Sequence, residues 1–276
     1  MLTYTTYSEA GGVGKTTLSA NLARAHSDHG HRVLVVDLDP QDGCLSYLLG
    51  VDDNRSDEDI DTIVHHMIDR GDDFDGLVRT AEGIDVVPSH NMLERLGDLL
   101  EKAASIAEQT GESFSKYARL RHVLAANDVP QEYDVLIVDP PATSGPHLYN
   151  AIHATRSLVI PVEPSGKGGE SIAGLESVVA GIESSLDIEV GVLATVVNRF
   201  EGTNDQQSVL DDVTHLPYPN PVTLRKRSSL FEGCWAKQCS AFQYVETHRD
   251  REREHERETL DKLDELATFL EERGDL

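Results

Sequence analysis

The chain is short of cysteine, short of lysine and free of long apolar runs. Its 276 residues include three cysteines, Cys44, Cys234 and Cys239. None forms a CxxC spacing, which argues against a disulfide framework and against a zinc or iron–sulfur site. No stretch of about 18 apolar residues occurs, so no membrane-spanning helix is expected. The opening residues, MLTYTTYS, lack the basic patch and apolar core of a secretory signal. These absences predict a soluble, cytoplasmic protein.

Seven of the 24 basic residues are lysine, and they face 49 acidic residues for a net charge of −25. A carboxylate-rich surface with little lysine suits a KCl-rich cytoplasm, where salt screens the self-repulsion. It predicts a halophilic archaeal source; the alternative is an ordinary acidic cytosolic protein. The acidic stretch 52–75 reads as a solvated helix and loop rather than a special binding segment.

Near-continuous apolar runs cover 2–8, 32–39, 133–141, 157–164 and 189–200, with a shorter one at 83–89. Runs of this length fit strands buried on both faces of a parallel sheet. Helical patterns lie at 16–29, where Leu18, Leu22 and Ala25 share a face and Gly30 offers a stop, and at 170–184 and 258–273. Strand–helix alternation predicts an α/β fold: one doubly wound, mostly parallel sheet of P-loop NTPase (Rossmann-like) architecture. With no repeat or linker in view, one domain is expected over 1–276, with a C-terminal amphipathic helix at about 257–273 packed on it.

The segment TTYSEAGGVGKTTLSANLA places a glycine-rich loop between a predicted strand and helix. A phosphate needs close backbone approach and a helix N-terminus, and Gly11, Gly12, Val13 and Gly14 supply the loop. Lys15 reaches the β- and γ-phosphates, the Thr16 hydroxyl is suited to Mg²⁺, and Thr17 completes the first turn. The strict G-x-x-x-x-G-K-[ST] pattern fails at its first position, where Glu9 stands. The alternative is a structural glycine turn.

GGVGKTT, VLVVDLDPQDG (33–43) and DVLIVDPPATSGPHLYNAI (134–152) resemble, in order and spacing, the deviant Walker ATPases of the ParA/MinD group. The resemblance runs from the first strand to the C-terminal helix. It implies a single Rossmann-like domain that binds ATP and Mg²⁺, forms an ATP-sandwich homodimer and positions DNA or other cargo. Asp39, 24 residues after Lys15, matches the aspartate that orients the attacking water. Asp139 matches the Walker B aspartate that holds Mg²⁺, and Asp37 takes the lesser role of bracing the metal shell. DPPATSG shifts the family's prolines but keeps Gly145 and Asn150 in step. Asn198 stands where the family has an adenine-contacting asparagine; a turn asparagine is the alternative. LRKRSSLFEG (224–233) is similar to the family's IRxxxxLxEA, with Gly233 in place of alanine.

The family's signature lysine, which reaches the partner's phosphates, is here Ala10. Lys167, in a glycine-rich turn after a strand, is the candidate replacement; the alternative is a solvated loop lysine. The resemblance further implies ATP-dependent, non-specific binding of double-stranded DNA, and Arg225, Lys226 and Arg227 are the basic cluster that would carry it. Ion pairing with the acidic surface is the competing reading. The tail has one apolar stripe and a mixed, acidic remainder, so membrane docking is not expected.

The sequence therefore predicts a Mg²⁺-dependent ATPase of the ParA type, nucleoid-associated and stimulated by a ParB-like partner or cargo adaptor. Its rivals are an ATP-binding switch or scaffold with little hydrolysis, a MinD-like regulator without DNA, and a metal-cluster carrier using Cys234 and Cys239.

Overall fold

The computed structural model describes residues 1–164, 166–251 and 253–276, and over 166–173 the course of the helix alone. The first half runs β1 (Leu2–Thr6), α1 (Lys15–Asp28), β2 (Val33–Asp37), α2 (Leu45–Leu48), α3 (Ile63–Met67), β3 (Arg79–Ala81), β4 (Ile84–Val87), α4 (Leu96–Thr110), α5 (Arg119–Ala126), α6 (Val129–Glu132) and β5 (Val135–Asp139). The second half runs α7 (Pro146–Thr155), β6 (Ser157–Val162), α8 (Gly166–Leu186), β7 (Gly191–Phe200), α9 (Asn204–Thr214), β8 (Thr223–Arg225), α10 (Ser228–Lys237), α11 (Ala241–His248) and α12 (Glu254–Arg273).

Among the described residues the strands form one eight-stranded sheet in the order β3-β4-β2-β5-β1-β6-β7-β8. All neighbours are parallel except the edge pair β3–β4. This is the expected doubly wound, mostly parallel sheet. The chain winds one way from β1 through β2 and β4, then returns to run the other way through β6, β7 and β8. The crevice at the carboxyl ends of the central strands, where such sheets bind ligands, therefore opens beside β1 and β5.

Alternation along each strand sorts side chains to the two faces. Leu2, Tyr4, Val135 and Ile137 pack with Leu18 and Leu22 of α1 and with Leu263, Leu266 and Leu270 of α12. On the other face Leu136 and Val138 meet Ile63, Leu100 and Leu124. Leu158 and Ile160 meet Leu148, Ile152 and Val179. Thr3 and Thr5 of β1 bond Thr155 at the end of α7, at 2.7 and 2.8 Å. Helix α12 starts a few residues ahead of the expected stretch, and its apolar stripe lies on α1.

Candidate functional site

The loop between β1 and α1 is left-handed at Gly12 (φ 77°) and at Gly14 (φ 95°), conformations that favour glycine. Gly11 and Gly12 face open space where a side chain would stand. No side chain caps α1 at Gly14, so the first-turn amides keep their capacity for an anion. The loop that the sequence assigns to phosphate is thus clear of side chains over Gly11 and Gly12. Burial lowers the pKa of Lys15, and the charges of Asp139 and Asp39 oppose that shift. Both carboxylates thus lie within electrostatic reach of the lysine.

Asp37 and Asp139 are register partners at the ends of β2 and β5, and both are essentially buried. Their oxygens are used differently. Asp37 accepts bonds from the Asp39 amide at 3.1 Å, the Ser46 amide at 2.7 Å and the Ser46 hydroxyl at 2.6 Å. Asp139 accepts through Oδ1 from Thr6 at 2.9 Å and Ser19 at 3.0 Å, while its buried Oδ2 has no partner. Burial, reinforced by the charge of Asp37, pushes the Asp139 carboxyl up to about 7; the hydroxyls of Thr16, which lies close without a formed hydrogen bond, and of Thr6 and Ser19 hold the rise back. Burial also raises Asp37, against its bonds to Cys44 and Ser46. An orphaned buried carboxylate oxygen next to the Thr16 hydroxyl and near Lys15 fits a hard cation such as Mg²⁺. Asp37 has both oxygens engaged, which suits the bracing role.

Asp39 lies beyond β2, in the loop rather than in the strand. Its Oδ1 accepts from the Gln41 amide at 3.0 Å. His147, near the start of α7, donates through Nε2 to the Leu93 carbonyl, 2.8 Å away. Because that partner is a carbonyl, Nε2 carries the proton.

Asn198 meets the loop rather than standing free. Its Nδ2 donates to the Val13 carbonyl at 2.8 Å, and its Oδ1 accepts from the Arg199 amide at 2.9 Å. A Cβ at Gly14 would approach Asn198 Nδ2 to 2.5 Å, so this glycine is required by packing as well as by φ. A cavity of about 330 Å³ opens beside the loop, lined by Gly14, Thr17, Asn198, Arg225, Arg227 and Trp235 among others.

The basic triplet therefore borders this cavity. Lys226 pairs with Glu201 at 3.1 Å. Arg227 pairs with Glu258 at 3.2 Å and donates to the His255 carbonyl at 3.1 Å, tying the triplet to α12. Arg225 lies 5.9 Å from the Phe200 ring. Gly233, the departure from the family pattern, has a packing cause: a Cβ there would come within 2.3 Å of Tyr244. The Lys167 side chain lies outside the described residues. Burial pushes the thiols of Cys234 and Cys239 up to about 12 and 11, which disfavours the thiolate that a metal cluster needs.

The sequence reading misses Thr6, Ser19, Ser46 and Ser89. Ser19 had a signal: it stands four residues after Lys15, one helical turn along the same face. Ser89 bonds Ser46 through its amide at 2.8 Å, a contact between segments far apart in the chain that no local pattern announces.

A family model described as an AAA domain matches residues 3–190. The chain is 33% identical over 210 residues to the sporulation initiation inhibitor protein Soj of Bacillus subtilis, covering 74% of this chain and 76% of that one. It resembles in structure a putative plasmid partition protein of Borrelia burgdorferi bound to AMPPNP, with a TM-score of 0.75, 16% identity and 99% of each chain covered. It also resembles the septum site-determining protein MinD of Pyrococcus horikoshii complexed with Mg-ADP, with a TM-score of 0.69, 18% identity, and 95% of this chain and 94% of that one covered. At those identities the two structures speak for the fold. With the sequence relationship and the geometry of the loop together, the chain belongs to the family of ParA/MinD-type P-loop ATPases.

Proposed function

We propose that the chain is a Mg²⁺-dependent ATPase of the ParA type, acting as one domain over 1–276. The observation that carries this is the unpartnered, buried Asp139 Oδ2 beside Lys15 and Thr16. In this reading the amides of Gly11, Gly12, Val13, Gly14, Lys15, Thr16 and Thr17 hold the phosphates. Lys15 neutralises the β- and γ-phosphates. Thr16 and Asp139 hold Mg²⁺, with Asp37 bracing the shell. Bound Mg²⁺ supplies charge neutralisation to the transferring phosphoryl group. Asp39 orients the attacking water, and Asn198 meets the base. Phosphoryl transfer depends mostly on such positioning and charge. Lys167 supplies the charge missing at Ala10.

ATP then favours a homodimer that binds double-stranded DNA non-specifically through Arg225, Lys226 and Arg227. A ParB-like partner or cargo adaptor stimulates hydrolysis, and the cycle segregates DNA or positions cargo at the nucleoid, in the cytoplasm. The relatives named above support this reading as partition and division proteins, one bound to AMPPNP and one to Mg-ADP. Among the described residues no helix is long and apolar enough to cross a membrane. A second reading, a nucleotide switch that does not hold DNA, is favoured by one observation: Lys226 and Arg227 already have acidic partners within the chain.

The test is ATP turnover with Mg²⁺ in molar KCl, with and without double-stranded DNA. The expected outcome is turnover in the wild type, its loss in Lys15→Ala, and a marked drop in Lys167→Ala. ATP-dependent DNA retention is expected to vanish in Arg225→Glu/Arg227→Glu, checked against unchanged ATP binding because the triplet borders the cavity. ATP binding without turnover, with or without DNA, would move the chain to the switch reading.

A further inference from the structure

Arg55 belongs to none of the nucleotide motifs. It stands in the acidic run DDNRSDED, where the sequence suggests a solvated segment. Yet its side chain turns inward and is only 10% exposed. Its guanidinium is directed at the loop that follows Asp39. Nη2 donates to the Pro40 carbonyl. Nη1 reaches Cys44 Sγ at 3.1 Å and Ser89 Oγ at 3.2 Å. Nε lies 3.3 Å from the exposed carboxylate of Asp42 without forming a hydrogen bond to it.

The same loop is pinned around Asp39 itself. The Asp39 amide donates to Asp37 at 3.1 Å, and the Asp39 carbonyl accepts from Ser89 Oγ at 2.5 Å. Ser89 is thus held between Arg55 and Asp39. The carbonyl of residue 39 is fixed through Ser89 and the carbonyl of residue 40 directly by the arginine. The base of the clamp is also anchored: the Asn91 amide donates to the Arg55 carbonyl at 3.0 Å, and His90 bonds the Asp57 carbonyl at 2.9 Å. A planar guanidinium with five donors can bridge several acceptors in one rigid geometry; an ammonium on a flexible stem cannot.

We propose that Arg55 is a positioning residue for Asp39. By holding the backbone carbonyls of residues 39 and 40 and the side chain of Cys44 it fixes where the Asp39 carboxylate stands. Arg55 itself touches no part of the nucleotide site. The proposal rests on the ATPase reading given above, in which Asp39 orients the attacking water. Displacing a catalytic group by about 1 Å can cost about a hundredfold in rate, so the clamp governs turnover rather than affinity.

The experiment compares wild type, Arg55→Ala, Arg55→Lys and Ser89→Ala. It reads kcat, KM and ATP affinity, and, independently of turnover, amide hydrogen exchange over residues 39–44 and over β1. For Arg55→Ala the expected result is a fall in kcat of about a hundredfold, with KM and ATP affinity within about threefold of wild type. Exchange is expected to speed up at 39–44 and to stay unchanged in β1. Arg55→Lys recovers a minor part of the rate. Ser89→Ala, the milder lesion, shifts kcat and exchange in the same direction. Unchanged exchange at 39–44 in Arg55→Ala overturns the clamp. So does a loss of ATP affinity in step with kcat, which marks a merely structural role. Absence of turnover in wild type overturns the ATPase reading instead, and the exchange comparison still decides whether the clamp exists.

Discussion

At the N-terminal end of α1 polar groups are left with capacity to spare; at its C-terminal end they are saturated. The first turn has no side-chain cap, open space over Gly11 and Gly12, and an unpartnered Asp139 Oδ2 next to it. Eleven residues after Lys15, His26 bonds Glu271 at 2.6 Å and Tyr4 at 3.1 Å. His29 bonds Glu271 through Nδ1 at 2.9 and 3.0 Å and Asp264 through Nε2 at 2.8 Å. Unpartnered buried groups cost stability and are kept where a ligand will satisfy them; saturated groups hold elements together. One helix thus leaves polar capacity open at one end and forms a joint to α12 at the other.

Substitutions at the two ends should behave oppositely. The largest effect is expected from Asp139→Asn: Mg²⁺-dependent turnover falls by at least about a hundredfold, while the thermal midpoint measured without Mg²⁺ stays level or rises, because a buried charge has gone. A large loss of stability in that variant would break the contrast. Glu271→Gln should do the reverse, costing about 2–3 kcal/mol by denaturant titration and leaving ATP affinity near wild type.

Next comes a pH effect. With a carboxylate on each ring nitrogen, His29 satisfies both only as the imidazolium. Burial lowers its pKa, but the bonds to Asp264 and Glu271 outweigh that and raise it. Its contribution is therefore complete below the ordinary imidazole value of about 6.5 and is lost as pH rises through the raised folded value. For His26 burial dominates and lowers the pKa, against the bond to Glu271 and with His29 and His31 adding to the fall. Its contribution is present above about 6.5 and is lost as pH falls through the lowered value. The unfolding midpoint should decline on both sides of that region, and His29→Asn should flatten the alkaline side. A midpoint that rises steadily with pH would contradict the assignment. Smallest is Lys226→Ala, which removes an exposed pair with Glu201 and should change stability by less than about 0.5 kcal/mol.

The legible parts of the fold are those whose strands are buried on both faces. β1, β2 and β5 read directly as apolar runs because water reaches neither side of them. β3 and β8, with three residues each, are too short to show a period, and β8 falls inside the stretch that reads as a basic motif. The expectation also leaves out α4, although Leu96, Leu100 and Ala107 mark its buried face. In the site, the phosphate loop and its two strand-end aspartates are local in sequence and visible there. The placement of Arg225, Lys226 and Arg227 beside the cavity is not, since it depends on β8 pairing Arg225 with Phe200 across the sheet edge. Arg55 is hidden for a related reason: an arginine amid acids looks solvated until the far segment carrying Ser89 is folded against it.

The bond from Asn198 to the Val13 carbonyl has a consequence for how the sheet and the glycine loop move. Asn198 lies in β7, so the bond ties Val13 and, next to it, Gly14 at the start of α1 to a strand far away in the chain. The amide nitrogen carries two protons, and the loop carbonyl uses one of them. A displacement of β7 at this point is therefore passed directly to the loop, and the loop in turn reports on the edge of the sheet to which β8 is paired.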